Sequence, residues 1–147
     1  MTQLNSTALR SEVFFVTADL PDLATLLAGL PADAEVHVLD ATQDGLTQMT
    51  RLLAGRSGLD AIHILSHGSA GALQLGSSTL NDAALTSRAT DLAQIGQSLS
   101  AEGDILLYGC NVAVGEVGAQ FVGKLAQATG ADVAASDNVT GAAAKGG

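Results

Sequence analysis

Ala61-Ile62-His63-Ile64-Leu65-Ser66-His67-Gly68 begins as an apolar run of strand length and stops abruptly in small and polar residues. So nearly continuous a run suits a strand covered on both faces, as in a parallel sheet. Asp104-Ile105-Leu106-Leu107-Tyr108-Gly109-Cys110-Asn111 repeats the pattern, and 43 residues separate His67 from Cys110. One crossover helix plus a hairpin would occupy that interval. Working outward, Glu12 to Thr17, Glu35 to Asp40 and Asp132 to Ala135 read as three further strands.

Amphipathic stretches fill the gaps. Pro21 opens a helix through Leu23, Leu26, Leu27 and Leu30, which Pro31 stops. Asp44 or Thr42 caps a second from about Gly45 to Ala54, with Leu46, Met49, Leu52 and Leu53 on its buried face. Leu73 and Leu75 alternate, Gly76-Ser77 turns and Thr79-Leu80 returns, a short hairpin after the third strand. A helix is expected over Ser87–Ser100 through Leu92, Ile95 and Leu99. Another runs from Gly115 with Val117, Phe121, Val122, Leu125 and Ala126 inward, ended by Gly130. The expected fold is therefore α/β: a three-layer, mostly parallel sheet of about five strands flanked by helices. Residues 12–136 form the domain, between a flexible stretch at 1–11 and a small, polar tail or linker at 137–147.

Composition narrows the function. With 147 residues the chain is one domain, long enough to fold without disulfides or metals. Six Lys+Arg against 15 Asp+Glu, a formal charge of -9, disfavour nucleic acid and anionic membranes. The single cysteine excludes an internal disulfide and multi-thiolate zinc sites. No Asp-rich loop has calcium-binding spacing, so neither metal nor cofactor is expected. No apolar run reaches the ~18 residues that span a bilayer. The N-terminus lacks the basic-then-apolar pattern of a signal peptide, so export would rest on a signal elsewhere in a longer parent chain.

In open parallel sheets, ligands and catalytic groups gather beyond the carboxyl ends of the strands. His67 and Cys110 both fall there. A free thiol has a pKa of ~8.5 and is mostly protonated near neutrality, so it needs a base or an ion-pair partner to become a nucleophile. An imidazole supplies either, and a helix beginning soon after Cys110 would add a partial positive charge. Gly68 lets backbone approach a bound carbonyl, so its N–H and that of Cys110 can form an oxyanion hole. Each residue also has a structural role open to it. His67-Gly68 can be a tight turn, and Cys110 can pack under the following helix.

Ile62-His63-Ile64-Leu65-Ser66-His67-Gly68, followed by Ile105-Leu106-Leu107-Tyr108-Gly109-Cys110-Asn111-Val112-Ala113-Val114-Gly115, resembles the paired His-Gly and Cys blocks of caspase-like cysteine peptidases, the CHAT branch above all. From Phe14 to about Gly141 the chain also resembles an uncharacterised domain family (domain of unknown function 4347) that occurs near the N-terminus of very large bacterial adhesin-like surface and secreted proteins. Leu27-Ala28-Gly29-Leu30-Pro31, Gly58-Leu59-Asp60-Ala61-Ile62-His63 and Gly103 to Cys110 carry that likeness. The resemblance implies a caspase-like fold and an extracellular or cell-surface setting. It implies a cysteine endopeptidase with His67 as general base and Cys110 as nucleophile, acting on a peptide segment of its own parent chain or of a neighbour. Tyr108-Gly109 stands where CHAT relatives carry Ser-Ala, and caspase-like peptidases build part of their pocket from strands after the fifth.

Asp137, just past the fifth strand, would select a basic residue before the scissile bond or merely form a turn. Asn111, directly after Cys110, is the other candidate for that substrate pocket or merely satisfies local backbone groups. Asp40, at the end of the second strand on the same edge of the sheet, either orients His67 or begins a turn, the turn being favoured, and His37 and His63 read as packed strand residues. The alternative to a peptidase is a catalytically inactive structural, export or adhesion-associated module of the same fold. A small-molecule binding domain is a third reading, but Thr17-Ala18-Asp19-Leu20-Pro21 is no phosphate-cradling glycine loop.

Overall fold

A computed structural model describes residues 12–18, 23–30, 35–69, 71–108 and 115–136. Five strands form one parallel sheet: β1 (Glu12–Thr17), β2 (Glu35–Leu39), β3 (Leu59–Leu65), β7 (Leu99–Tyr108) and β8 (Asp132–Ser136), in the order β2-β1-β3-β7-β8. This is the order of doubly wound flavodoxin-like sheets. A second, antiparallel sheet of β4 (His67–Ser69), β5 (Ala72–Leu75) and β6 (Ser78–Leu80) follows β3. The described helices are α1 (Leu23–Ala28), α2 (Gly45–Leu53), α3 (Asp82–Ser87), α4 (Ala89–Gln97) and α5 (Gly115–Thr129).

The central strands are buried on both sides, as their unbroken apolar runs require. Alternate residues divide between two cores. Val13, Phe15, Ile62, Ile64, Ile105 and Leu107 meet Leu46 and Met49 of α2, Leu85 of α3, Leu92 and Ile95 of α4 and Phe121 and Leu125 of α5. Phe14, Val16, Leu65 and Tyr108 face the other way, towards Leu23 and Leu27 of α1. One face thus carries four of the described helices and the other only α1.

The helix expected over Ser87–Ser100 is α4 followed by the start of a strand, and a further helix, α3, precedes it. Asn81 caps α3, its side chain accepting from the Ala84 N–H at 3.0 Å, and α3 ends where Arg88 turns the chain into α4. Leu99, expected on the helix, pairs with Leu59 as the first residue of β7, and a register shift follows before Ala61 meets Asp104. The break at Arg88 is made by tertiary bonds. Its guanidinium donates to Asp44 at 2.8 Å, to Asp91 at 2.8 Å and to Thr47 Oγ1 at 3.1 Å. Asp44 caps α2 through the Thr47 N–H and accepts from Ser78 of β6. Burial works against the Asp44 charge, but the Thr47 N–H and Arg88 outweigh it and hold the carboxyl below its ordinary range. The hairpin is thereby tied to α2 and to the α3–α4 corner.

Glu35, opening edge strand β2, is gripped by both guanidinium nitrogens of Arg56 and by His37 at 2.7 Å. The Arg56 hydrogen bonds, against a smaller burial penalty, lower its pKa from 4.5 to about 2. A depressed carboxylate contributes stability that is present above its unfolded value and lost as pH falls through the folded one. Because both partners are one-third exposed, the contribution is about 1 kcal/mol. Glu35→Gln is expected to remove that amount at pH 7 and to flatten the acid loss between pH 4.5 and 2, read from thermal melts against pH.

Candidate functional site

Parallel pairing of β3 with β7 puts Leu65 opposite Tyr108, the last residues of two adjacent central strands. Ser66 then donates its N–H to the Tyr108 carbonyl at 3.3 Å, carrying the pairing one step beyond β3. His67 follows Ser66 directly, and Cys110 stands two positions after Tyr108. The chain positions of both thus leave one sheet edge from neighbouring strand ends. Cys110 and Asn111 lie outside the described residues, as do Gly109 and Asp137 and the stretches 1–11 and 137–147.

His67 and Gly68 are extended, not a tight turn. They form β4 and pair with Gln74 and Leu73 of β5, and the His67 side chain is exposed. The Gly76-Ser77 turn lies where the sequence places it, with Leu75 opposite Ser78. Asp40 does not orient His67. It follows β2, which β1 separates from β3, and its carboxylate accepts from the Thr42 N–H and hydroxyl at 2.8 and 2.7 Å. Those bonds lower its pKa.

Sequence reasoning missed the contact that brings the two halves of this edge together. Gly71, at the β4–β5 turn, has φ +76°, and a Cβ there would lie 2.6 Å from Val117 Cγ1 in the first turn of α5. The hairpin that carries His67 therefore abuts the helix that starts five residues after Cys110. Nothing in the spacing of Gly71 and Val117 signals a contact between them. Gly71→Ala is expected to cost about 2 kcal/mol in a denaturant melt, part backbone strain and part clash. Adding Val117→Ala should recover the clash and leave the strain.

Thr17 ends β1 and Ser66 directly follows the neighbouring β3, and among the described residues their buried hydroxyls have no hydrogen-bond partner. An unpaired buried hydroxyl is a cost, and an isosteric apolar group avoids it. Thr17→Val is accordingly expected to leave the melting temperature unchanged or slightly raised.

On the second face of the sheet His63 is 3% exposed and lies between two rings, parallel to Phe14 with centroids 4.1 Å apart and to Tyr108 at 5.7 Å. Its Nε2 is 2.7 Å from Glu12 Oε1 and its Nδ1 3.0 Å from Tyr108 Oη. His63 is thus packed and hydrogen-bonded, as its strand position suggests. His37 is similar, bonded to Glu35 and stacked on Phe15. Among the described residues no group of three or more His, Cys, Asp or Glu side chains is arranged to hold a metal ion. No described helix is long and apolar enough to cross a membrane.

Sheet order, the antiparallel appendage after β3 and the His67 strand end define an α/β domain with its candidate site on the carboxyl edge of the sheet. The chain belongs to the family described as domain of unknown function (DUF4347), whose model matches residues 13–147. Neither the curated proteins nor the solved structures contain a match to it.

Proposed function

We propose that this chain is a cysteine endopeptidase module in which His67 is the general base and Cys110 the nucleophile. The reading rests on one observation above all, the Ser66 N–H bonded to the Tyr108 carbonyl. It joins the residue before His67 to the residue two before Cys110. In the proposed reaction His67 takes the thiol proton and the sulfur attacks the scissile carbonyl carbon. The oxyanion is met by the N–H groups of Gly68 and Cys110. Collapse breaks the C–N bond, and His67 passes its proton to the departing amine. Water, deprotonated by His67, then hydrolyses the thioester and the thiol is restored.

The substrate in this reading is a peptide segment of the same parent chain or of a neighbouring protein on a bacterial surface. Asp137, the residue that follows β8 in the chain, would favour a basic residue before the cut. The charge of -9 agrees with a protein partner and not with nucleic acid. The test is intact-mass analysis of the parent protein against its Cys110→Ala variant. A new terminus in the wild type, absent from the variant, is the expected result. Identical fragments from both would end the proposal and leave the inactive structural module as the reading.

A further inference from the structure

We propose that Glu12, His63 and Tyr108 form a positioning relay that holds the end of β7, two residues before Cys110, and through it tunes the reactivity of that thiol. The proposal rests on the dyad reading and extends it to three residues that touch neither reacting atom nor substrate.

The three come from three adjacent strands, β1, β3 and β7, and lie on one face of the sheet. Register explains how they meet. Phe14 is opposite His63 and His63 opposite Leu106, so Glu12 and Tyr108 are the diagonal neighbours of His63 on its two sides. The carboxylate leans forward to Nε2 at 2.7 Å and the phenol leans back to Nδ1 at 3.0 Å. An ionised carboxylate only accepts, so the neutral imidazole carries its proton on Nε2. In that tautomer Nδ1 is the acceptor and the Tyr108 hydroxyl donates to it. Burial, with the Glu12 charge, raises the Tyr108 pKa, which keeps the phenol protonated for that role.

Packing alone does not require these residue types. A leucine at 63 would fill the space between Phe14 and Tyr108 without desolvating an imidazole and part of a carboxylate. What the polar chain adds is a directional tie on the last residue of β7. Tyr108 also accepts the Ser66 N–H through its carbonyl. It is therefore held by its backbone to the residue before His67 and by its side chain to the sheet face. Tyr108, two positions before Cys110, thus has two fixed points.

Tyr108→Phe keeps the ring on His63 and removes only the hydroxyl. The readout is alkylation of Cys110, the single cysteine, by iodoacetamide between pH 5 and 10, followed by intact mass. The wild-type midpoint is expected below the free-thiol value of ~8.5, and His67→Ala should return it there. Tyr108→Phe should raise the midpoint by about one unit, up to a tenfold loss of rate near neutrality. Glu12→Leu should do the same, and Glu12→Gln, which keeps an acceptor for Nε2–H, should restore most of the shift. A purely structural role would change the melting temperature and leave the midpoint alone. A wild-type midpoint at the free-thiol value, indifferent to His67→Ala, sinks the dyad and the relay together. A depressed midpoint that both Tyr108→Phe and Glu12→Leu leave in place overturns the relay and spares the dyad. If Tyr108→Phe fails to fold, the two Glu12 variants separate the same outcomes.

Discussion

Gly96→Ala is expected to destabilise the domain by about 3 kcal/mol, a larger loss than any other single methyl addition on its helices. Gly96 lies in α4, and a Cβ there would overlap the backbone carbonyl oxygen of Thr129 at the end of α5. The obstruction is main chain, so no rotamer change relieves it. The two helices must move apart, and with them the contacts of Ile95, Phe121 and Leu125 in the larger core. For a chain of this size the loss corresponds to a fall of about 9 °C in melting temperature. Gly123 supplies the control. It lies inside α5, and a Cβ there meets nothing within 4 Å. Gly123→Ala should stabilise by about 0.5–1 kcal/mol through helix propensity and a less flexible unfolded chain. The same substitution thus has opposite signs at two helical glycines, and a pair of thermal melts decides it. Equal effects at both would mean that α4 and α5 are not in close contact.

Phe15→Ala is expected to cost about 4 kcal/mol. Phe15 is fully buried on β1, between β2 and β3, and its ring is 5.7 Å from that of His37. Truncation leaves a cavity at β1, which is hydrogen-bonded to a strand on each side and cannot move to close it. Val38, on edge strand β2 and 47% exposed, gives the comparison. Val38→Ala should stay within about 0.5 kcal/mol of wild type. Urea titrations of the two proteins should show a lowered midpoint for the first, with its slope kept, and almost none for the second.

How much of the candidate site is legible in the sequence differs from residue to residue. His67 and Cys110 stand out because each follows an apolar run that ends sharply, and the ends of parallel strands are where chemistry gathers. The Asp44 cap of α2 is legible too, since a side chain three residues before Thr47 reaches its N–H locally. The Asn81 cap of α3 is an equally local bond, yet the helix expected from the sequence begins only at about Ser87, so α3 is not legible there. The break at Arg88 has no such signal. It depends on Asp44, 44 residues away, and on Thr47. The approach of Gly71 to Val117 and the joining of Glu12, His63 and Tyr108 are likewise long-range.

By itself, then, the sequence determined the core of each strand of the parallel sheet and the helices α1, α2, α4 and α5, because the period of apolar residues is a local property of the chain, but not α3, β4 or the first residues of β7. It determined that a histidine and the single cysteine follow two of those strands. Only the tertiary structure decided that β3 and β7 are neighbours, with Leu65 opposite Tyr108. Buried apolar strands are chemically much alike, so pairing and register are chosen by how side chains from all the elements fill the space between them. That choice sets Ser66 against the Tyr108 carbonyl, and with it the edge from which His67 and Cys110 depart.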